Sequence, residues 1–187
     1  FLLFKPYIDK NLYEKKDLYT KTMKSYKLAY EKLKKETATI YIHLNKTNNL
    51  NKKLKVLDKF GKAHILDLDN YGFVVQKKAH SFQDTLLKVK NDKKAVDDLL
   101  TAFFDNLDSI YKKNIMNKDR HIMQNLGVIN DRVVEIDIGR FSKKKFNKNK
   151  LQKEANHYTY YLKKWLSKNI SDASYLVDDK LEKLIEN

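Results

Sequence analysis

Three polar side chains in the middle of the chain, Asp119, Asn125 and Asp137, have the types and spacing that phosphoryl-transfer chemistry uses. They lie in the stretch Lys118 to Phe141, KDRHIMQNLGVINDRVVEIDIGRF. A side-chain amide and a carboxylate offer hard oxygen ligands of the kind Mg²⁺ takes. A magnesium ion held there can hold nucleotide phosphates and offset the charge that develops as a phosphoryl group moves, which leaves the protein mainly with positioning and electrostatics. Asp119, ahead of the other two, stands where a base would sit. A purely structural explanation uses the same residues: an Asn-Asp turn joins two buried strands, Asp119 caps a helix end and Gly139 permits a bend.

The elements that must position these groups follow from the apolar pattern. Leu126, Val128 and Ile129 precede a polar Asn130-Asp131 turn, and Val133, Val134, Ile136 and Ile138 follow it, which predicts a short β-hairpin. That hairpin brings Asn125, before its first strand, and Asp137, at the end of its second, to one open end. Upstream, Ala95 to Asn114 predicts a helix with Val96, Leu99, Leu100, Phe103, Phe104, Leu107, Ile110 and Tyr111 on one broad apolar face, and Phe82 to Val89 a shorter one. Leu12 to Glu36 contains neither glycine nor proline and reads as a long amphipathic helix. Phe1 to Ile8 reads as a buried strand with Lys5 as its one charge. Thr39 to Leu44, Lys53 to Asp58 and His64 to Asp69 read as strands of an antiparallel meander, and Tyr71 to Gln76 as a further strand. After Phe141, the lysine-rich, acid-free run Ser142 to Lys150 reads as a surface loop. The helices Leu151 to Lys168 and Ser171 to Ile185 follow, with Ser171 as a cap.

The central stretch resembles the catalytic and metal-binding segments of protein kinases and of phosphoinositide lipid kinases. Asp137-Ile138-Gly139 stands in for the Asp-Phe-Gly element, and Asp119-Arg120-His121 is similar to the Asp-Arg-His of the lipid kinases. Asn125 follows Asp119 by six positions, one more than those families generally have. The resemblance implies an α+β, incomplete two-lobed protein-kinase-like fold. Residues 1–80 would form a partial smaller lobe of strand, long helix and antiparallel sheet, and 81–187 a mainly helical larger lobe. It also implies roles: Lys5 reaching nucleotide phosphates, Glu31 as its helix partner, Asn125 and Asp137 as Mg²⁺ ligands, Asp119 as the base, and ATP as the nucleotide. The implied function is an atypical kinase or a pseudokinase, with the phosphoacceptor unassigned. Read from the residues alone, Lys5 is equally a lysine snorkelling from a strand end, and Glu31 a solvated partner of Lys27, Lys34 or Lys35. The HLNKT turn, the DKFGKAHILDLD segment and the FVVQKKA strand resemble, more weakly, an uncharacterised group of chlamydial proteins.

Composition bounds the rest. A chain of 187 residues that is 42% hydrophobic is long enough for one compact domain or two small lobes. A formal net charge of +15 predicts attraction to an anionic partner: a nucleotide, an acidic protein, or nucleic acid or an anionic surface through Lys143 to Lys150. A non-catalytic basic binding protein, or an effector or scaffold for a protein partner, is the competing class. No cysteine is present, which excludes disulfides and thiolate chemistry. The four glycines, Gly61, Gly72, Gly127 and Gly139, are isolated, so no Gly-x-Gly-x-x-Gly loop covers a phosphate. No apolar run is long enough to cross a membrane, and Phe1-Leu2-Leu3-Phe4 is too short for a signal peptide. The expectation is a soluble protein, cytoplasmic or a secreted effector. Its lack of an initiating methionine reads as a start inside a longer polypeptide.

Overall fold

The computed structural model describes residues 2–6, 13–119, 121–170 and 173–186, with side chains from Asp17 onward. It is a mixed α and β protein with small antiparallel sheets and a largely helical second half. Helix α1 (Tyr13–Lys32) buries Thr22, Ser25, Tyr26 and Ala29, three to four residues apart on one stripe. The sequence predicts one helix through Glu36, but the ladder is interrupted at Leu33 and resumes as α2 (Lys34–Thr37). Leu33 is fully buried, and Ala38 closes the element at a left-handed φ of 51°. The packing of Leu33 and this αL stop turn the chain directly into β2 (Thr39–His43).

The first sheet has the order β1-β5-β2, with β1 (Leu2–Pro6) and β2 both antiparallel to β5 (Tyr71–Gln76). This corrects the expected meander, because β2 pairs with β5 and not with the next strand in the chain. The reason lies in the apolar patterns. In β5, Gly72, Phe73, Val74 and Gln76 are buried, as in a strand covered on both sides. The intervening β3 (Lys53–Leu57) and β4 (Ala63–Asp67) have no buried residue, so they pair only with each other in a separate two-stranded ribbon.

A short 3₁₀ turn, Leu68–Asn70, leads from the ribbon into β5. Next come β6 (His80–Ser81) and α3 (Phe82–Lys88), whose first turn is capped by Ser81 Oγ accepting from Asp84 N. Helix α4 (Lys93–Lys112), capped by Asp92, buries Val96, Leu100, Phe103, Phe104, Leu107, Ile110 and Tyr111. Then β7 (Ile115–Asn117), α5 (Ile122–Asn125), β8 (Leu126–Ile129) and β9 (Arg132–Glu135) follow. The β8–β9 hairpin has the expected Asn130-Asp131 turn, with Asn130 at φ 52°.

The run expected as a lysine-rich loop begins as strand β10 (Phe141–Lys143), paired with β7, and ends in helix α6 (Lys148–Asn169), capped by Asn147. The last helix, α7, is Ser174–Glu186; the expected cap Ser171 lies outside the described residues. One hydrophobic core runs from Tyr26, Ala29, Leu33 and Val74 through α3 and α4 to α6 and α7.

Candidate functional site

Pairing of β7 with β10 sets the first half of the site. The ladder continues past Asn117 with Lys118 N donating to Arg140 O at 3.1 Å, which brings Arg140 beside the start of the polar loop. Asp119 is buried there and doubly engaged. Its Oδ1 accepts from His121 N at 2.9 Å, and its Oδ2 lies 3.5 Å from Arg140 Nε. Its own backbone N–H donates to Asn117 Oδ1 at 2.9 Å. The carboxylate is thus held in one orientation at the floor of an open hollow of about 720 Å³, whose walls include Lys118, His121, Arg140, Lys143 and Lys144. Lys144 is tied across the rim to Glu154 at 2.9 Å.

The second half comes from the β8–β9 hairpin. Its ladder extends one step beyond Leu126 opposite Glu135, with Ile136 N donating to Asn125 O at 2.7 Å. Asn125 and Asp137 are therefore brought to the same open end, as the sequence pattern predicts. Asn125 is buried, and its amide nitrogen has no hydrogen-bond partner. A buried amide without a partner is costly, and such exceptions mark strain, function or an absent partner. Asp137 is exposed, with Oδ1 accepting from Gly139 N at 3.0 Å. Burial first, and then the Asp137 charge, push the Tyr26 hydroxyl on α1 up to about 12.

A magnesium ion usually keeps several waters and takes one or two carboxylates together with substrate phosphates. The Asp137 carboxylate and the Asn125 Oδ1 are ligand types that suit that limited role, whereas the unpartnered Asn125 Nδ2 is a donor and does not bind a cation. Among the described residues no three histidine or acidic side chains gather as an all-protein metal cage.

Of the remaining two expected residues, Glu31 lines a neighbouring hollow together with Lys118, Gly139 and Arg140. Glu31 is half exposed and paired with Lys27 at 3.7 Å, the local partner that the helical spacing offers. The Lys5 side chain lies outside the described residues; its backbone sits in β1 opposite Gly72. In the HLNKT segment, His43 Nδ1 donates to Tyr71 O at 3.0 Å, and the Thr47 hydroxyl donates to Asp69.

Sequence reasoning missed the group beneath the site. Glu135, on β9, is completely buried and accepts from Asn117 Nδ2 at 3.1 Å and from Tyr158 OH, on α6, at 2.5 Å. Burial raises its carboxyl from 4.5 to about 7, the two hydrogen bonds pull it down, and the Asp137 and Asp119 charges add to the rise. The signal was present in Val133-Val134-Glu135-Ile136, an acid inside an apolar strand run, because a buried carboxyl needs built-in donors. Ser25 on α1 is a second missed link: its buried Oγ donates to Ile138 O and accepts from Phe141 N at 2.7 Å. It fastens the long helix to the Asp137-Ile138-Gly139 segment from both sides.

Compared with protein-family models, curated proteins and solved structures, the chain matches none of them.

Proposed function

We propose that this chain is an atypical kinase or pseudokinase that binds a magnesium nucleotide at the open end of the β8–β9 hairpin. The observation that carries the reading is the backbone hydrogen bond from Ile136 N to Asn125 O, which sets Asn125 beside the strand end that leads into Asp137. The element order supports it too: strand, long helix, small sheet, helix, polar loop and hairpin, as the kinase resemblance implies.

In this reading Asn125 and Asp137 hold the ion, which supplies charge neutralisation for the nucleotide phosphates. The protein's own work is positioning. The His121 N–H and the Arg140 guanidinium hold the Asp119 carboxylate in place, where it would orient an acceptor hydroxyl and take its proton as the phosphoryl group is transferred. Lys118, Lys143 and Lys144 give the hollow beside it a positive rim that favours a phosphorylated or acidic acceptor. That rim also favours a second reading, in which the surface binds a polyanion without catalysis.

Thermal unfolding with ATP, with and without Mg²⁺, tests the proposal, because a ligand that prefers the native state raises apparent stability. We expect a Mg²⁺-dependent rise that is lost in Asp137→Ala. A folded protein with no Mg²⁺-dependent shift overturns the nucleotide reading; binding to polyphosphate that weakens steeply with salt would then favour the polyanion reading.

A further inference from the structure

We propose that the β3–β4 ribbon docks the protein on an anionic bilayer surface. The ribbon carries exposed apolar side chains, with Lys59 Nζ 4.9 Å from the centroid of the Phe60 ring. Phe60 at its tip is 82% exposed, Leu57 is 67% and Ile65 is 63% exposed. Leu57 pairs with Ala63, and Ile65 with Lys55, so these residues share one face of the ribbon next to the tip. Lys52, Lys53, Lys55, Lys59 and Lys62 border them. Among the described residues none of these five lysines has an ion-pair partner.

The tip is built to present this combination. Asp58 is engaged by its own loop. Its Oδ1 accepts from Phe60 N at 2.9 Å and Lys62 N at 3.0 Å, and its Oδ2 lies 2.9 Å from His64 Nε2. Gly61 supplies the left-handed φ of 79° that closes the turn. Phe60 therefore projects outward from a fixed loop, and the Asp58 carboxylate of the tip is bound back onto that loop. Asp69 fixes the root of the ribbon by accepting from the Thr47 hydroxyl, Asn49 N, Leu50 N and Asn51 N.

Charge complementarity selects the occupant. The lysine border suits an anionic partner, which separates it from an ordinary hydrophobic protein interface. The aliphatic side chains Leu57 and Ile65 offer a nucleic acid neither hydrogen bonds nor stacking, whereas the interface of a bilayer takes both apolar side chains and a basic rim. The tip would enter the boundary between headgroups and acyl chains, with the lysines level with anionic headgroups.

The test is cosedimentation of the full chain with vesicles of phosphatidylcholine containing roughly 30% phosphatidylserine, a surface negative enough to attract basic segments. Binding is expected to these vesicles and to be much weaker to phosphatidylcholine alone. Phe60→Ser is expected to reduce partitioning by about tenfold or more, and Lys59→Gln and Lys62→Gln by about fivefold each. Fluorescence of Phe60→Trp, above the Trp165 background, should be quenched by lipids brominated in the acyl chain. All three positions are on the surface, so circular dichroism should be unchanged. Absence of binding to the anionic vesicles overturns the proposal. So does binding that survives Phe60→Ser, which would place the contact elsewhere. Single-stranded DNA binding that depends on Lys59 and Lys62 but not on Phe60 or Leu57, without vesicle binding, would assign the ribbon to nucleic acid.

Discussion

Asn117 stands between Glu135 and Asp119, giving its amide N–H to the buried carboxyl at 3.1 Å and taking the Asp119 backbone N–H on its oxygen at 2.9 Å. The orientation of the loop that carries the candidate base is therefore coupled through one amide to the charge state of a carboxyl in the core.

That coupling predicts a pH dependence with a defined sign. The folded-state value of Glu135 is about 7, raised from 4.5, chiefly by burial. Between those values the folded protein holds a proton that the unfolded chain has lost, so this residue makes stability fall as pH rises across the window. The loss is complete above about 7 and corresponds to about 3 kcal/mol. Urea unfolding of wild type and Glu135→Gln from acid to neutral pH should show the variant gaining on wild type as pH increases. Parallel curves would remove Glu135 as the titrating group.

Tyr158→Phe removes the closer of the two donors to Glu135 and leaves an ionised, buried carboxylate with one partner. The expected cost is about 1–3 kcal/mol above neutral pH. It should be smaller in acid, where the carboxyl carries its own proton. The ring itself is packed near Phe103, centroids 6.4 Å apart, so the phenylalanine keeps that contact. Equal destabilisation at both pH values would mean that lost packing, and not the hydrogen bond, sets the effect.

Ser25→Ala tests the fastening of α1 to the Asp137-Ile138-Gly139 segment. It leaves the Phe141 N–H without its acceptor and the Ile138 carbonyl without this donor, both in the interior. The loss should be about 1–3 kcal/mol. Amide exchange at Phe141 should accelerate more than global unfolding requires; unchanged protection there would show that the link is dispensable.

Gly127→Ala should destabilise by overpacking. A Cβ at Gly127 would lie 2.5 Å from Ala79 Cβ and 3.1 Å from His80 O, where β8 runs tightly against β6. A cost of about 1–3 kcal/mol is expected from such an insertion, measurable as a lower melting temperature. A neutral effect would require the segment around Ala79 to yield.

The parts of this fold written locally were legible in the sequence. The apolar face of α4 and the β8–β9 hairpin follow from spacing within a few residues, and the hairpin alone accounts for the meeting of Asn125 and Asp137. The partner of β2 was not legible, because β5 lies beyond the whole ribbon and local pattern contains no pairing information over that distance. Asn117 and Tyr158 were invisible as a pair for the same reason: they meet only at Glu135, from different elements. Glu31 pairs with Lys27 on its own helix, as the local spacing offers, while the hollow that it shares with Lys118, Gly139 and Arg140 joins distant segments and was not legible.

The adjacency of His43 and Phe73 in the β2–β5 ladder makes the segment from Asn45 to Asn70 an excursion from the first sheet. The Asp69 acceptor cluster closes that excursion at its base, so its turn residues are satisfied within the excursion itself. A short hairpin loop joining β2 directly to β5 would leave the central sheet, α1 and the Asn125–Asp137 end in place. The ribbon can therefore change, lengthen or disappear without disturbing the interior, and it gives the chain a part whose specificity can diverge independently of the rest.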